Sequence, residues 1–448
     1  MYDSVIVGGG VAGLTAAYLL SKEGFKVLVI ERKSEDRVGD KICGDAIGRH
    51  HFVNLGFEEP KVGLDAEGFF KGVNVVSPDE KHIIPVYGEG YALNRVRFGA
   101  KLFRMAINSG AEVLLEHSFI KPIVSYSRVE GVYARSGGYV KDFHAKTVID
   151  ASGALAHVRR SLPRDWWVSE PMPESDFNIC YREIWIGGLD IDHSLAWIFL
   201  NVNIAPGGYW WLFPKRDGLY NVGLGIQKGL EGLNPKVQFN KYVKGRFKID
   251  GVVHGGGGIV PTRRPIPCMV WNGFIAIGDA ASTANPLHGG GIGPAMLSAK
   301  IAVGKIVEAL SSGEASMDRL WSYHNEYFKA YGAKQASLDV LRMYLQRIGN
   351  NDLNYIFKSV LVNGGEINEI GSKGEIGQTV LSKLKTALKL AVRPSILKGI
   401  VKVKQYMDKA KKLYLNYPET PLKYLEWREN EEKLIGEYRR WVNSLSRD

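Results

Sequence analysis

The sequence predicts an α/β protein in which a parallel-sheet domain is interrupted by an antiparallel sheet and followed by a helical C-terminal region. Three observations predict it. In residues 4–31 an apolar run, a glycine turn, an Ala/Leu-rich helix and a second apolar run follow one another. Two remote apolar segments, 146–150 and 273–277, end in small residues as further strands of one sheet do. Residues 160–270 alternate apolar and polar positions between turn signals, which predicts an inserted antiparallel sheet.

In chain order, SVIV at 4–7 is the first strand, VGGGVAGLTAAYLLSKEG the turn and helix, and KVLVIE at 26–31 a parallel second strand. From about 293 onward apolar residues recur at three- and four-residue spacing, which predicts helices. The expected division is a discontinuous first domain over 1–159 and 271–310, an antiparallel-sheet substrate domain over 160–270, and a helical region over 311–448 with a basic amphipathic segment at 381–416.

Composition narrows the function classes. At 448 residues and 45% hydrophobic the chain is too long for one compact core and too apolar for disorder. The net charge is +11, and residues 381–416 carry ten Lys and Arg against Asp408 alone. Such a surplus points to an anionic partner. Leu381, Leu384, Leu388, Ala391 and Val392 share one side of a helical wheel, with Lys383, Lys385, Lys389 and Arg393 on the neighbouring arc, in a helix ended near Pro394. That pattern suits an anionic membrane surface. No nucleic-acid motif accompanies the lysines, so no nucleic-acid partner is expected. Cys43, Cys180 and Cys268 are widely spaced with no C-x-x-C, which excludes a cysteine-ligated cluster, a zinc ribbon and a disulfide scaffold; no metal site is expected. The start MYDSVIV carries no basic leader, and the most apolar stretch, 195–212, is interrupted by Asn201, Asn203 and Pro206. The expected location is cytoplasmic, peripheral at the inner face of the cell membrane.

Gly8, Gly10 and Gly13 fit G-x-G-x-x-G between a strand and a helix, the Rossmann-like dinucleotide fingerprint. The first glycine permits the turn, the second the approach of a pyrophosphate, the third close helix packing. Val11 and Ala12 open the helix whose N–H groups face the phosphates. Glu31, 18 residues after Gly13, stands where an acid binds an adenosine ribose, with Arg32 beside it. The fingerprint alone serves FAD and NAD equally. The later GFIAIGDAASTANPLHGGGIGPAM favours FAD, because a second strand ending in Gly278-Asp279 returns to the same dinucleotide and places Asp279 on the ribityl hydroxyls. Residues 286–292, with Gly290, Gly291 and Ile292, form a glycine loop opening a helix, suited to the pyrimidine edge of an isoalloxazine.

VGGGVAGL, Glu31, Arg95 in YALNRVRFGAKL, DASGALAHVRR and GDAASTANPLHGGGIG together resemble the FAD enzymes of the p-hydroxybenzoate hydroxylase superfamily over about the first 310 residues. Two further motifs, KICGD at 41–45 and PGGYWWLFP at 206–214, look like the geranylgeranyl reductase family. The resemblance implies saturation of the C=C bonds of geranylgeranyl chains by hydride from reduced FAD. It also implies that Arg95 lies by the cofactor, that Cys43 and the adjoining Gly44 face the flavin cavity, and that residues 209–214 line the substrate tunnel. Where hydroxylases of the superfamily carry Ala-Asp-Gly, this chain has Ala151-Ser152-Gly153 after Asp150, so Asp150 is given no cofactor role.

Alkene saturation calls for a hydride donor, a proton source and a dry site. Strand alternation puts Tyr209, Trp211 and Phe213 on one face and Trp210 and Leu212 on the other; the odd face is expected to meet substrate. Cys43 is expected to line the cavity, and His51, His288 and Tyr209 are possible proton donors, bulk water being the alternative. Cys43 and Tyr209 are thus the catalytic candidates. No second G-x-G-x-x-G exists for a resident nicotinamide, so electrons are expected from visiting NAD(P)H or a ferredoxin-like carrier. The competing readings are an FAD monooxygenase or halogenase of a small aromatic and an electron carrier to quinone. The halogenase Trp-x-Trp-x-Ile-Pro ending is not matched by Trp211-Leu212-Phe213-Pro214, and a carrier would call for clustered cysteines.

Overall fold

The computed structural model describes residues 1–359, 362–380, 382–383 and 394–445. Its first sheet has a parallel core ordered Phe274–Ala276, Tyr139–Asp150, Tyr2–Val7, Val27–Ile30 and Glu112–Leu114. The four segments expected as strands are all in it and adjacent. Val5, Ile6, Val27–Ile30, Val148, Ile149 and Ile275 are buried, because helices cover the sheet. Val11–Lys22 packs between Arg95–Asn108 and Ile292–Ser311. The antiparallel strands Ser118–Ser125 and Arg128–Ser136 extend the sheet from Tyr139–Asp150.

The second sheet is wider than the 160–270 segment. Five strands, Gly251–Pro261, Phe177–Ile186, Leu219–Gln227, Tyr209–Pro214 and Leu195–Phe199, come from it, but three more, Ala66–Val76, Ile83–Leu93 and Ala46–Gly48, come from within the first 159 residues. The join is the parallel pairing of Leu195–Phe199 with Ala66–Val76, so the sheet is not antiparallel throughout. Local alternation marks a strand's faces but not its neighbours, and the 46–93 strands therefore read as part of the first domain.

The C-terminal residues are helical as expected. Ala333–Leu345, Asn350–Lys358, Gly364–Lys373, Pro394–Leu415 and Tyr424–Asn443 form a satellite core around Tyr344, Leu397, Met407 and Tyr438. Of the expected amphipathic segment, residues 381 and 384–393 lie outside the described residues. Pro394 opens a helix, the first-turn position that proline tolerates. Several lysines of that helix are engaged within the protein: Lys404 pairs with Asp408, Lys411 with Glu375, and Lys402 lies 4.6 Å over Trp441. Among the described residues no helix is long and apolar enough to cross a membrane.

A buried ionic cluster joins this region to the second sheet. The Asp176 carboxylate, just before the Phe177–Ile186 strand, meets Arg263 at 3.3 Å, Arg342 at 3.2 Å and Arg439 at 2.9 Å. Asp339 receives Arg264 at 3.1 Å and Arg342 at 2.7 Å, and Glu431 pairs with Arg264. Burial works against ionisation of Asp176, but the surrounding guanidinia outweigh it and hold the carboxyl well below the usual range. Its stabilising contribution is therefore present above its ordinary titration range and lost as pH falls through the lowered one. Asp176→Asn leaves arginines buried against a neutral partner; unfolding in urea at pH 7 is expected to show a loss of about 3–5 kcal/mol, and an unchanged midpoint would contradict this assignment.

Candidate functional site

At the carboxyl ends of the parallel strands, Gly8 (φ 109°) ends the first strand and its N–H donates to Ile30 O. A Cβ on Gly8 would lie 2.4 Å from Ala151 O, and one on Gly13 would lie 1.9 Å from Gly8 O. A Cβ on Gly10 would meet nothing within 4 Å. Thus Gly8 and Gly13 are closed by packing, whereas Gly10 faces open space. The helix Val11–Lys22 has no side-chain cap and no acid in its first turn, which leaves its N–H groups to an anion. The Glu31 carboxylate braces the turn, accepting from Gly9 N at 2.6 Å and Lys33 N at 2.8 Å. Arg95, nine-tenths buried, has no partner for its Nε and lines the same space. An open glycine, uncapped N–H groups and an orphaned guanidinium fit a dinucleotide phosphate.

The second cofactor segment meets the first directly. A Cβ on Gly278 (φ 58°) would come within 2.9 Å of Ala12 Cβ, so the turn after Phe274–Ala276 is packed on the first helix. Asp279 then faces the cavity, with Lys41 Nζ 2.7 Å from Oδ2. The Asp279 charge and that hydrogen bond hold the Lys41 ammonium above its usual range against its burial. Gly291 is the uncapped N-cap of Ile292–Ser311, and a Cβ there would lie 3.2 Å from Asp279 Oδ1.

Asp45 anchors the KICGD segment. It sits at φ 64° and is buried, with Oδ2 taking Lys215 Nζ at 2.9 Å and Asn221 Nδ2 at 2.8 Å. Asn221 also donates to Cys43 O at 2.9 Å and accepts from Trp211 Nε1 at 2.9 Å. One buried amide therefore fixes Cys43 and Trp211 relative to each other.

Cofactor cradle and aromatic strand share one cavity of about 1550 Å³, larger than the ~300–1,000 Å³ of an ordinary small-ligand site. Its wall includes Gly8, Gly10, Val11, Ala12, Glu31, Arg32, Cys43, Gly44, Arg95, Asp279, Gly290, Gly291, Ile292, Tyr209, Trp211, Phe213, His51 and His288. Gly13 and Gly278, which belong to the two cofactor segments, stand behind this wall as packing positions. Trp211 and Phe213 pack with Phe70, Ala92 and Ala196, while Trp210 and Leu212 belong to the separate core of Trp185, Tyr220 and Phe239. Tyr209 Oη donates to His288 O at 2.7 Å, and burial pushes its hydroxyl above the usual range. Burial pushes His51 down to about 3 and His288 down to about 4, so both rings are neutral at pH 7. Asp150 accepts from Ser152 N, Ser152 Oγ and Arg159 N, which holds the turn, and is not itself part of the cavity wall.

Several residues of the site were missed in the sequence. Cys180 faces the cavity with Cys43, its thiol pushed up to about 11 by burial. Lys215 gives no sequence signal, but Asn221 does: an amide in the apolar strand LYNVGLGI has to be satisfied. The apolar end of the cavity comes largely from the C-terminal helices, through Leu341, Leu345, Ile356, Phe357, Ile370 and Val403. Periodicity alone reads these as core.

The glycines make a separable prediction. Gly10→Val, at φ −80°, fills the cradle without backbone strain, so the purified protein is expected to fold with flavin content down at least tenfold. Gly13→Ala drives a methyl into Gly8 O and is expected to lower soluble yield itself. Equal flavin content in Gly10→Val and wild type would remove the cradle assignment.

Residues 176–260 match the geranylgeranyl reductase catalytic domain and residues 6–39 the NAD(P)-binding Rossmann-like domain. The chain is 38% identical over 443 residues to the digeranylgeranylglycerophospholipid reductase of Sulfolobus acidocaldarius, covering 98% of each chain. It is 28% identical over 404 residues to the enzyme of that name from Methanospirillum hungatei, covering 87% of this chain and 96% of that one. In fold it is similar to a geranylgeranyl bacteriochlorophyll reductase-like protein of Thermoplasma acidophilum, with a TM-score of 0.76 and 24% identity over 90% of this chain and 99% of that one. A flavin-dependent brominase shares the fold at a TM-score of 0.65 and 19% identity, over 87% of this chain and all of that one. The cradle, the braced KICGD segment and the aromatic strand thus stand in a chain that belongs to the digeranylgeranylglycerophospholipid reductase family.

Proposed function

We propose that this chain is an FAD-dependent reductase that saturates the C=C bonds of geranylgeranyl chains in membrane ether phospholipids. The observation that carries the reading is the single cavity in which a dinucleotide cradle runs into an apolar arm between the second sheet and the C-terminal helices. A small aromatic substrate has no use for an arm of that kind, whereas a long prenyl chain needs one.

Gly10, the first turn of Val11–Lys22, Arg95 and Asp279 would hold FAD, and Gly290, Gly291 and Ile292 would present backbone N–H groups to its ring. FAD in its reduced form supplies the hydride for one alkene carbon. The protein's part is to bring the alkene to that point and keep water away. Trp211 and Phe213 form an aromatic wall in which the Trp211 ring is held by its bond to Asn221, and Cys43, held through the same amide, faces the same space. Tyr209, tied to the carbonyl of His288, steadies the glycine loop and presents its ring to the chain. Cys43 and Tyr209 are the proposed catalytic contacts, with His51 and His288 beside them as neutral groups that hold or pass a proton.

Electrons arrive from a visiting NAD(P)H or ferredoxin-like carrier, since the chain has one G-x-G-x-x-G and uses it for FAD. The protein works from the cytoplasm, peripheral to the anionic inner face of the membrane, where the surplus of lysines meets the lipid that carries the substrate.

Anaerobic turnover tests the reading. With dithionite-reduced protein and digeranylgeranylglycerophospholipid, the flavin is expected to reoxidise without oxygen while the lipid gains about two hydrogens per saturated bond. Flavin that stays reduced until air enters would favour a monooxygenase. Trp211→Ala is expected to retain flavin and lose at least tenfold in kcat/KM for the lipid. Sedimentation with phosphatidylglycerol vesicles but not with phosphatidylcholine vesicles checks the surface. Bleaching of the oxidised flavin by NADPH or by reduced ferredoxin identifies the donor.

A further inference from the structure

Three histidines and one lysine come together where the glycine loop meets the C-terminal helices. His50 and His51 lie in the short helix His50–Leu55 with ring centroids 4.1 Å apart, and the His51 ring covers Gly293, where a Cβ would lie 2.2 Å from His51 Cγ. His288 Nδ1 accepts from Gly290 N at 3.2 Å, which fixes the tautomer and leaves Nε2–H as a donor. Lys334, from Ala333–Leu345, lies 4.7 Å over Tyr331, and Tyr331 is hydrogen-bonded to Asn285, the residue that caps the turn containing His288. All four side chains line the described cavity.

The cluster presents donors to the cavity, the Lys334 ammonium and His288 Nε2–H among them. Among the described residues, the charged groups acting on the three histidines are one another and Lys334, and the group acting on Lys334 is Lys411. Among the described residues no carboxylate acts on any of the four, and Lys411 is itself paired with Glu375. Of the other cations on this wall, Lys41 pairs with Asp279 and Arg95 faces the cradle. A half-buried ammonium beside neutral imidazole rings, with no carboxylate acting on it among the described residues, favours an anion in the space it faces.

We propose that His50, His51, His288 and Lys334 form a subsite for the phosphate or diphosphate group of the prenyl substrate. The proposal rests on the reductase reading and adds where the charged end sits: beside the glycine loop, so that the chain leaving it passes Tyr209 and enters the apolar arm. The subsite selects phosphorylated prenyl lipids over the corresponding alcohols and sets how far along the chain each double bond is presented.

The test compares geranylgeranyl diphosphate, digeranylgeranylglycerophospholipid and uncharged geranylgeraniol on the FAD-loaded enzyme. In Lys334→Gln and in His50→Gln the ratio of kcat/KM for a charged substrate to that for geranylgeraniol is expected to fall at least tenfold. Lys334→Arg is expected to restore most of it. The charged substrate with the larger fall identifies the group the subsite was built for. An unchanged ratio overturns the subsite while leaving the reductase reading intact. If wild type reduces none of the three, the reductase reading fails, and calorimetry with inorganic pyrophosphate decides the subsite alone: binding to wild type that Lys334→Gln loses supports it, and no binding overturns it. Where a variant does not fold, inorganic pyrophosphate on wild type serves, competition against geranylgeranyl diphosphate but not geranylgeraniol being expected and equal or absent inhibition counting against the subsite.

Discussion

The cavity depends on a buried charge cluster. Asp176 stands at the head of a strand of the second sheet, Arg263 just beyond another, Arg342 on a C-terminal helix that lines the cavity, and Arg439 on the last helix. Buried ion pairs add little net stability over apolar packing, but their geometry is unforgiving, because each unpaired charge is penalised heavily. Apolar helices packed on an apolar sheet face can slide by a residue or a turn. Arginine forks closing on one carboxylate cannot, and so the helices are held at one distance from the sheet with a gap for a ligand between them.

The same economy of placement appears at the chemical end. Asn221 ties Asp45, Cys43 and Trp211 to one amide, and Lys41 links the KICGD segment to Asp279. Residues from three distant stretches of chain are thereby fixed at one junction, between a polar half suited to a dinucleotide and an apolar half suited to a hydrocarbon. A reaction that moves hydride onto an unactivated alkene asks for positioning and dryness more than for acid–base power. The wall residues fit that demand, with imidazoles kept neutral by burial and an aromatic strand whose odd positions face inward.

Much of this was legible in the sequence, and the parts that were share a cause. The glycine fingerprint, Glu31, the Gly278-Asp279 turn and the 209–214 alternation each encode their geometry within a few residues, so reading them needs no knowledge of neighbours. Gly13 packs as the third glycine of the fingerprint is expected to, whereas Gly278, read as part of the second cofactor segment, takes a packing role against Ala12. That strands from 46–93 join the second sheet was not read from the sequence, for a related reason. Ala66–Val76 pairs in parallel with Leu195–Phe199 across more than a hundred residues, and no local pattern records such a pairing.

By itself the sequence determined a dinucleotide cradle on a parallel sheet, an aromatic strand with one face free, and a helical end rich in lysine. Those properties follow from backbone permissiveness and side-chain periodicity, which act over a few residues. Only the tertiary structure decided that the helical end supplies the apolar arm, that Asp176 gathers arginines from sheet and helices, and that His50, His51, His288 and Lys334 meet with no carboxylate among the described residues. Each of these depends on which distant groups share one buried space, where charge and exclusion of water set the energetics and separation along the chain has no bearing.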